Sequence, residues 1–366
     1  MKFDLLDYTN CIANLPNSIL KKFGVDTVGD TLPIADKYIE KNYKNIVVLL
    51  LDGMGTYILE KNLDKNGFFS SHLIDSYKTV FPPTTVAATT SIDCGLQPIE
   101  HAWFGWDCYY PQIDKNVTVF LNTEQGTNSS VMDESVASKY CGYESIYQRL
   151  VNSGHKAYYS TPFIPPFPNS FDDICHRVAE LCKEDGNKYI YAYWNEPDTT
   201  MHKFGCYHEK TRSMLKTLED KVKQMCEQLE DTLLIITADH GHVDGRNVCI
   251  TDYPEVARCL VRMPSIEPRA LNLFVKDEMK NDFVRAFNNA FANDFILLTK
   301  QEVYESNLFG DGIKHTNADA MIGDYVAIAI SDLTVFNTRE EAEEMIGVHA
   351  GYTKEEITIP FIVYEA

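Results

Sequence analysis

The chain has 366 residues, of which 45% are hydrophobic, 12% aromatic and 23% charged, enough to bury an ample core as one large α/β unit with or without an insertion. Its formal net charge of −20 sets a repulsive long-range field against nucleic-acid polymers and anionic membranes, though not against a small anion held by metal ions. No apolar run reaches the length of a membrane span, and the ten cysteines are scattered without a CxxC pair, so neither a transmembrane protein nor a zinc ribbon is expected.

The opening residues, MKFDLLDYTNCIANL, carry acids early and lack a basic stretch followed by an apolar one, which makes a cytoplasmic protein the expectation. The first strand, NIVVLLL over Asn45–Leu51, runs into Asp52. In VFPPTTVAATTSIDCG two prolines fix an extended entry, and Thr84 and Thr85 precede a small-residue run that can start a helix. A threonine there is either a plain cap or a hydroxyl set where exposed N–H groups welcome a phosphate. Trp103, Phe104 and Trp106 follow in HAWFGWD, where aromatic rings either wall a substrate pocket or fill a core.

Helical periodicity over 143–153, 171–184 and 208–229 alternates with strands at Lys156–Ser160, Lys188–Trp194 and Thr232–Thr237. The third strand in chain order, Lys188–Trp194, delivers Asp198, with His202 four residues on. That spacing puts both on one helical face, able to grip one metal, unless Asp198 merely complements a helix dipole. The fourth ends in Asp239 and His240. Residues 253–324 break the rhythm with several prolines, a helical run at 276–293 and Gly310-Asp311-Gly312. They are expected to form an inserted small cap subdomain, with 1–252 and 325–366 as the core. Strands are expected again at 325–330 and 359–364, with His349 in the loop before the last. Near-continuous Val, Ile, Leu and Tyr runs separated by helices predict an α/β fold with a mostly parallel central sheet and helices on both faces.

Three buried strands thus each bring a carboxylate to the C-terminal edge of the sheet, where ligands bind in such folds. Asp52, Asp198, His202, Asp239 and His240, with His349 as a sixth candidate, form the oxygen- and nitrogen-rich cradle that a pair of divalent cations requires. A metal-activated threonine hydroxyl would supply the nucleophile.

The motifs LLLDGMG, PPTTVAATTSIDCGLQPIEHAWFG, EPDTTMHKFG, TADHGH and GVHAGY stand in that order between residues 46 and 352. The chain in this respect resembles the alkaline-phosphatase superfamily, and within it the type I phosphodiesterase/nucleotide pyrophosphatase family. The resemblance implies one zinc on Asp52, Asp239 and His240, which also touches the nucleophile, and a second zinc on Asp198, His202 and His349. Counted back from Gly95-Leu96-Gln97-Pro98, it implies Thr85 and not Thr84 as nucleophile, with a phosphothreonine intermediate hydrolysed by a zinc-activated water. The implied substrate is a small-molecule phosphate ester, a nucleotide among the candidates.

One departure stands out. Where the family has Phe-Pro-Asn after the threonine, this chain has Val86-Ala87-Ala88, so a backbone N–H or a side chain such as Asn122 must hold the phosphoryl oxygen. Phosphomonoester hydrolysis or a metal-dependent phosphomutase on the same core is the alternative, and a non-catalytic, metal-stabilised binding protein a second. No C-x-P-x-R segment of sulfatase type follows the first strand, and DGMG lacks the G-x-G-x-x-G of a dinucleotide site. His242 and His315 are further candidate contacts, and the acids from Glu340 read as a solvated helix face.

Overall fold

The computed structural model describes residues 6–366; the first five, part of the stretch read above for a leader, lie outside the described residues. Among the described residues no helix is long and apolar enough to cross a membrane. The central sheet has six strands in the order Leu73–Lys78, Thr358–Glu365, Thr232–Thr237, Asn45–Leu51, Lys188–Trp194, Lys156–Ser160. The last four are mutually parallel, and Thr358–Glu365 runs antiparallel to both of its neighbours. Asn45–Leu51 and Thr232–Thr237 are buried at every position. That is why their sequences are unbroken apolar runs: helices cover both faces of the sheet.

The helical periodicities resolve as Ile146–Asn152, Phe171–Lys183 and Glu209–Cys226. Phe171–Lys183 presents Phe171, Ile174, Cys175 and Val178 to the core and packs on the Lys188–Trp194 strand. The acids at 340–344 lie on a short helix, Arg339–Glu344, with no buried residue.

A second, antiparallel sheet of seven strands stands beside the first, in the order Phe295–Thr299, Tyr325–Ala329, Ala270–Leu273, Ser265–Glu267, Asp107–Tyr110, Lys115–Thr118, Thr123–Glu124. The strand expected over 325–330 therefore forms, but it pairs here with 295–299 and 270–273 and not in the central sheet. Residues 253–324 share this sheet with the segment 107–124. Helix Lys280–Phe291 covers it with Phe283, Phe287 and Phe291, one turn apart and fully buried.

One buried ion pair ties the second sheet to the loop before the last central strand. Arg269 Nε and Nη2 donate to the two Glu356 carboxylate oxygens at 2.6 and 2.8 Å, and both side chains are fully buried. Arg269 also donates to the carbonyls of Ser331 (2.6 Å) and Leu333 (3.0 Å), while Glu356 accepts from Gly351 N and Thr353 Oγ1, each at 2.7 Å. The pair is thus fully hydrogen-bonded, the condition under which buried charges are tolerated.

Candidate functional site

The C-terminal edge of the central sheet gathers the expected ligands. Asp52 follows the Asn45–Leu51 strand, and its backbone is stitched to the next strand and to the helix beyond: Asp52 N donates to Trp194 O and Asp198 N donates to Asp52 O, both at 3.0 Å. Asp198 opens helix Asp198–Phe204, and His202 lies one turn on, its Nε2 at 3.2 Å from Asp198 Oδ1. Asp239 and His240 leave the Thr232–Thr237 strand beside them. Here two glycines are obligatory: a Cβ on Gly241 would lie 2.0 Å from Glu355 O, and one on Gly55 would lie 2.5 Å from Gly241 Cα. Backbone packs on backbone, and that brings the two strand-end loops into register.

Three histidines are oriented alike. His202, His240 and His349 each place Nδ1 against a main-chain carbonyl, of Gly347 (2.8 Å), Gly241 (3.2 Å) and Pro83 (3.2 Å) respectively. With the proton held at Nδ1, each Nε2 lone pair points inward, as in metal sites generally. His240 Nε2 lies 3.3 Å from Asp52 Oδ1 and 3.5 Å from Asp239 Oδ2, and His349 Nε2 lies 3.9 Å from Asp198 Oδ1. His242 joins the group, with Nε2 2.7 Å from Asp198 Oδ1. The donor atoms of Asp198, His202, His242 and His349 lie within 4.8 Å of one another, as do those of Asp52, Asp198 and His240.

The donor set fits metal ions. Asp239 Oδ1 accepts from Gly53 N and His240 N at 3.0 Å, but its Oδ2 is buried without a hydrogen bond, with His240 Nε2 standing 3.5 Å away. An orphaned carboxylate oxygen in a dry interior is costly, and a cation relieves it. The titration shifts show the same strain. Burial, then repulsion from Asp52, raises the Asp239 carboxyl well above its usual range. Burial opposes charge on His240, yet Asp239 and Asp52 overcome it and push the imidazole up to about 10. Burial would also raise Asp198, but His202 and His242 outweigh it and hold that carboxyl well below normal. Protons stand where cations compete for the same lone pairs.

Thr85 is the first residue of helix Thr85–Cys94. Its Oγ1 lies 3.3 Å from His240 Nε2 and 3.5 Å from each Asp52 oxygen. Thr84 points elsewhere, donating to the carboxylate of Glu267. Asp52 is approached from a third side by Tyr193, whose hydroxyl donates to Oδ2. Beside the cluster opens a cavity of about 280 Å³, lined by Thr84, Thr85, Trp106, Glu267, His202 and His349 among others.

Three expected substrate contacts lie away from that cavity. Trp103 is buried in the second sheet's core, its Nε1 donating to Cys141 O at 2.8 Å, and it packs on Tyr143. Asn122 sits in a left-handed turn (φ 54°) with its amide consumed locally: Nδ2 donates to Met132 O and Glu134 O, and Oδ1 accepts from Val136 N. It has nothing left to offer a phosphoryl oxygen. His315 accepts at Nδ1 from Asn317 N and lies outside the lining. Phe104 is buried against Phe309, whereas Trp106 does line the cavity. Two residues of the site went unread. Tyr193 shares one strand face with Tyr189 and Tyr191, and that alternation was the available signal. Glu267 carried none, because a hairpin of the second sheet delivers it.

A family model described as type I phosphodiesterase / nucleotide pyrophosphatase matches residues 46–353. Among solved structures, murine ectonucleotide pyrophosphatase/phosphodiesterase 5, an inactive form in complex with AMP, superposes with a TM-score of 0.67 over 88% of both chains at 17% identity. The human counterpart gives 0.66 at 16% identity over 87% of both chains. Phosphonoacetate hydrolase from Sinorhizobium meliloti, in complex with phosphonoacetate, gives 0.64 at 14% identity over 87% of this chain and 89% of that one. These likenesses concern the fold. No curated protein matches the chain in sequence.

Proposed function

Because the chain belongs to the type I phosphodiesterase / nucleotide pyrophosphatase family, and is therefore a metal-dependent phosphoric ester hydrolase, we propose that Thr85 is its nucleophile and a small phosphodiester its substrate. The observation that carries this is the division of labour between neighbouring threonines: Thr85 Oγ1 faces Asp52 and His240, while Glu267 engages Thr84. Asp52, Asp239 and His240 would hold one ion, and Asp198, His202 and His349 the other, with His242 hydrogen-bonded to Asp198. The imidazole-rich, carboxylate-containing set favours zinc. When bound, the two ions lower the hydroxyl's pKa and stabilise charge on the attacking and leaving oxygens.

The chain's own groups do the rest. Thr85 Oγ attacks phosphorus and forms a P–O bond to threonine as the bond to the leaving alcohol breaks, the hydroxyl's proton ending on that alcohol; water then cleaves the threonyl ester, releasing the phosphomonoester and returning a proton to Oγ. The first N–H groups of helix Thr85–Cys94 have no acceptor within the helix. They would hold a phosphoryl oxygen, the task that Val86-Ala87-Ala88 cannot perform with side chains.

The test compares bis(4-nitrophenyl) phosphate with 4-nitrophenyl phosphate on protein of measured zinc content. The diester is expected to be preferred. Thr85→Ala should lose on the order of a thousandfold or more in kcat with its metal content intact. Preference for the monoester would instead favour a phosphatase, and full turnover by Thr85→Ala would remove the threonine from the mechanism.

A further inference from the structure

We propose that Glu267 is a positioning residue that acts through Thr84. It turns the Thr84 hydroxyl away from the helix that follows, and so keeps the first-turn N–H groups of that helix open to a phosphoryl oxygen. This rests on the hydrolase reading above and specifies how its site is prepared for the ester.

Thr84 stands where a cap belongs. It precedes the ten-residue helix Thr85–Cys94 in an extended conformation (φ −140°, ψ 150°), yet its side chain makes no capping bond. The same residue types behave in the ordinary way elsewhere in the chain. Ser145, Ser170, Thr299 and Thr338 each precede a helix in an extended conformation. Each accepts from the N–H three residues on, at 3.1 to 3.2 Å. By that pattern Thr84 would accept from Ala87 N.

Glu267 diverts it. Its Oε1 accepts from Thr84 Oγ1 and, at 2.8 Å, from Trp106 N. A hairpin of the second sheet carries Glu267 to the cavity wall, where it is only 8% exposed, so water hardly competes for the bond. A hydroxyl that donates to a carboxylate makes a stronger bond than one that accepts from a main-chain N–H. In the rotamer that reaches Glu267, the Thr84 oxygen makes no bond to the helix.

Ala88 N donates to Thr84 O at 3.0 Å and starts the helical ladder, so the N–H groups of Thr85, Val86 and Ala87 lie ahead of the first intrahelical bond. They belong to the turn that carries the nucleophile. A capping bond from Ala87 N to Thr84 would occupy one of these few donors. Glu267 thus exchanges a stabilising cap for an open donor beside Thr85, as electrostatic stabilisation of a transition state requires.

The experiment follows turnover of bis(4-nitrophenyl) phosphate by the full chain loaded with zinc. Glu267→Ala frees the Thr84 hydroxyl to cap the helix and is expected to lose about a hundredfold in kcat with KM little changed. Glu267→Gln, whose side-chain oxygen can still accept from Thr84, should recover most of that loss. The double variant Glu267→Ala, Thr84→Val has no hydroxyl to cap with and is expected to regain about tenfold over Glu267→Ala. A role that is merely structural, or that runs through Trp106, predicts no such regain. Amide hydrogen exchange is a readout independent of turnover: protection at Ala87 N should rise about tenfold in Glu267→Ala and fall back in the double variant. Full kcat in Glu267→Ala, or a loss that Thr84→Val does not relieve, overturns the proposal while leaving the hydrolase intact. If the wild type does not cleave the ester, the phosphodiesterase reading fails and exchange at Ala87 decides alone: a gain in Glu267→Ala upholds the restraint on Thr84, and no change sinks it. Should Glu267→Ala fail to fold, Glu267→Met carries the same comparison.

Discussion

Asp52 is held from three sides: by Tyr193 at Oδ2, by His240 Nε2 near Oδ1, and by Thr85 Oγ1. In the proposed metal site that restraint keeps the carboxylate oxygens aimed, and loss of such an outer partner typically weakens a metal site about 10- to 100-fold. Tyr193→Phe is therefore expected to fold normally, to release zinc to a chelator about tenfold more readily and to lower kcat, as a competition titration with a coloured chelator would show. Glu267 gives a pH prediction. Burial raises its carboxyl from 4.5 to about 7, so the folded chain keeps a proton that the unfolded chain gives up. The stabilising contribution is complete below pH 4.5 and is lost as pH rises through 7. Glu267→Gln cannot ionise, so its stability relative to wild type should climb between pH 5 and 8, by up to ~3 kcal/mol in denaturant titrations.

Between elements, the Arg269–Glu356 pair joins the hairpin that carries Glu267 to the loop that carries His349. Glu356→Gln strands a buried guanidinium and should cost about 3–5 kcal/mol in urea unfolding, whereas replacing both partners by apolar residues should cost less. Such joints mark where sequence reading stops. The places of Asp52, Asp198 and Asp239 at the sheet edge were legible because each follows closely on a buried strand, and a largely apolar run shows where that strand meets the edge. Residues 325–329 were equally legible as a strand, but a buried run does not name its partners, and these proved to be 270–273 and 295–299. Trp103 and Trp106 look alike in HAWFGWD. A left-handed Ala102 and the close approach of Gly105 to Ile266 send one ring into the core and the other to the cavity, and neither turn is written in the spacing.

Over the whole molecule, with a net charge of −20, the proposed metal ions are what would make the sheet edge attractive to an anionic phosphate. Removing the metals should abolish turnover and lower the melting temperature by several degrees, with both restored by added zinc, because ions that bind only the folded state stabilise it by mass action. Failure of the melting temperature to respond would mean that the cluster forms no tight site. All ten cysteines are free, so the described chain has no covalent cross-link of its own. Its candidate ligands nevertheless run from Asp52 to His349 along the sequence. In the proposed assignment one ion closes the loop 52–240 and the other the loop 198–349, two overlapping rivets that would be drawn and set again by changing the metal concentration alone.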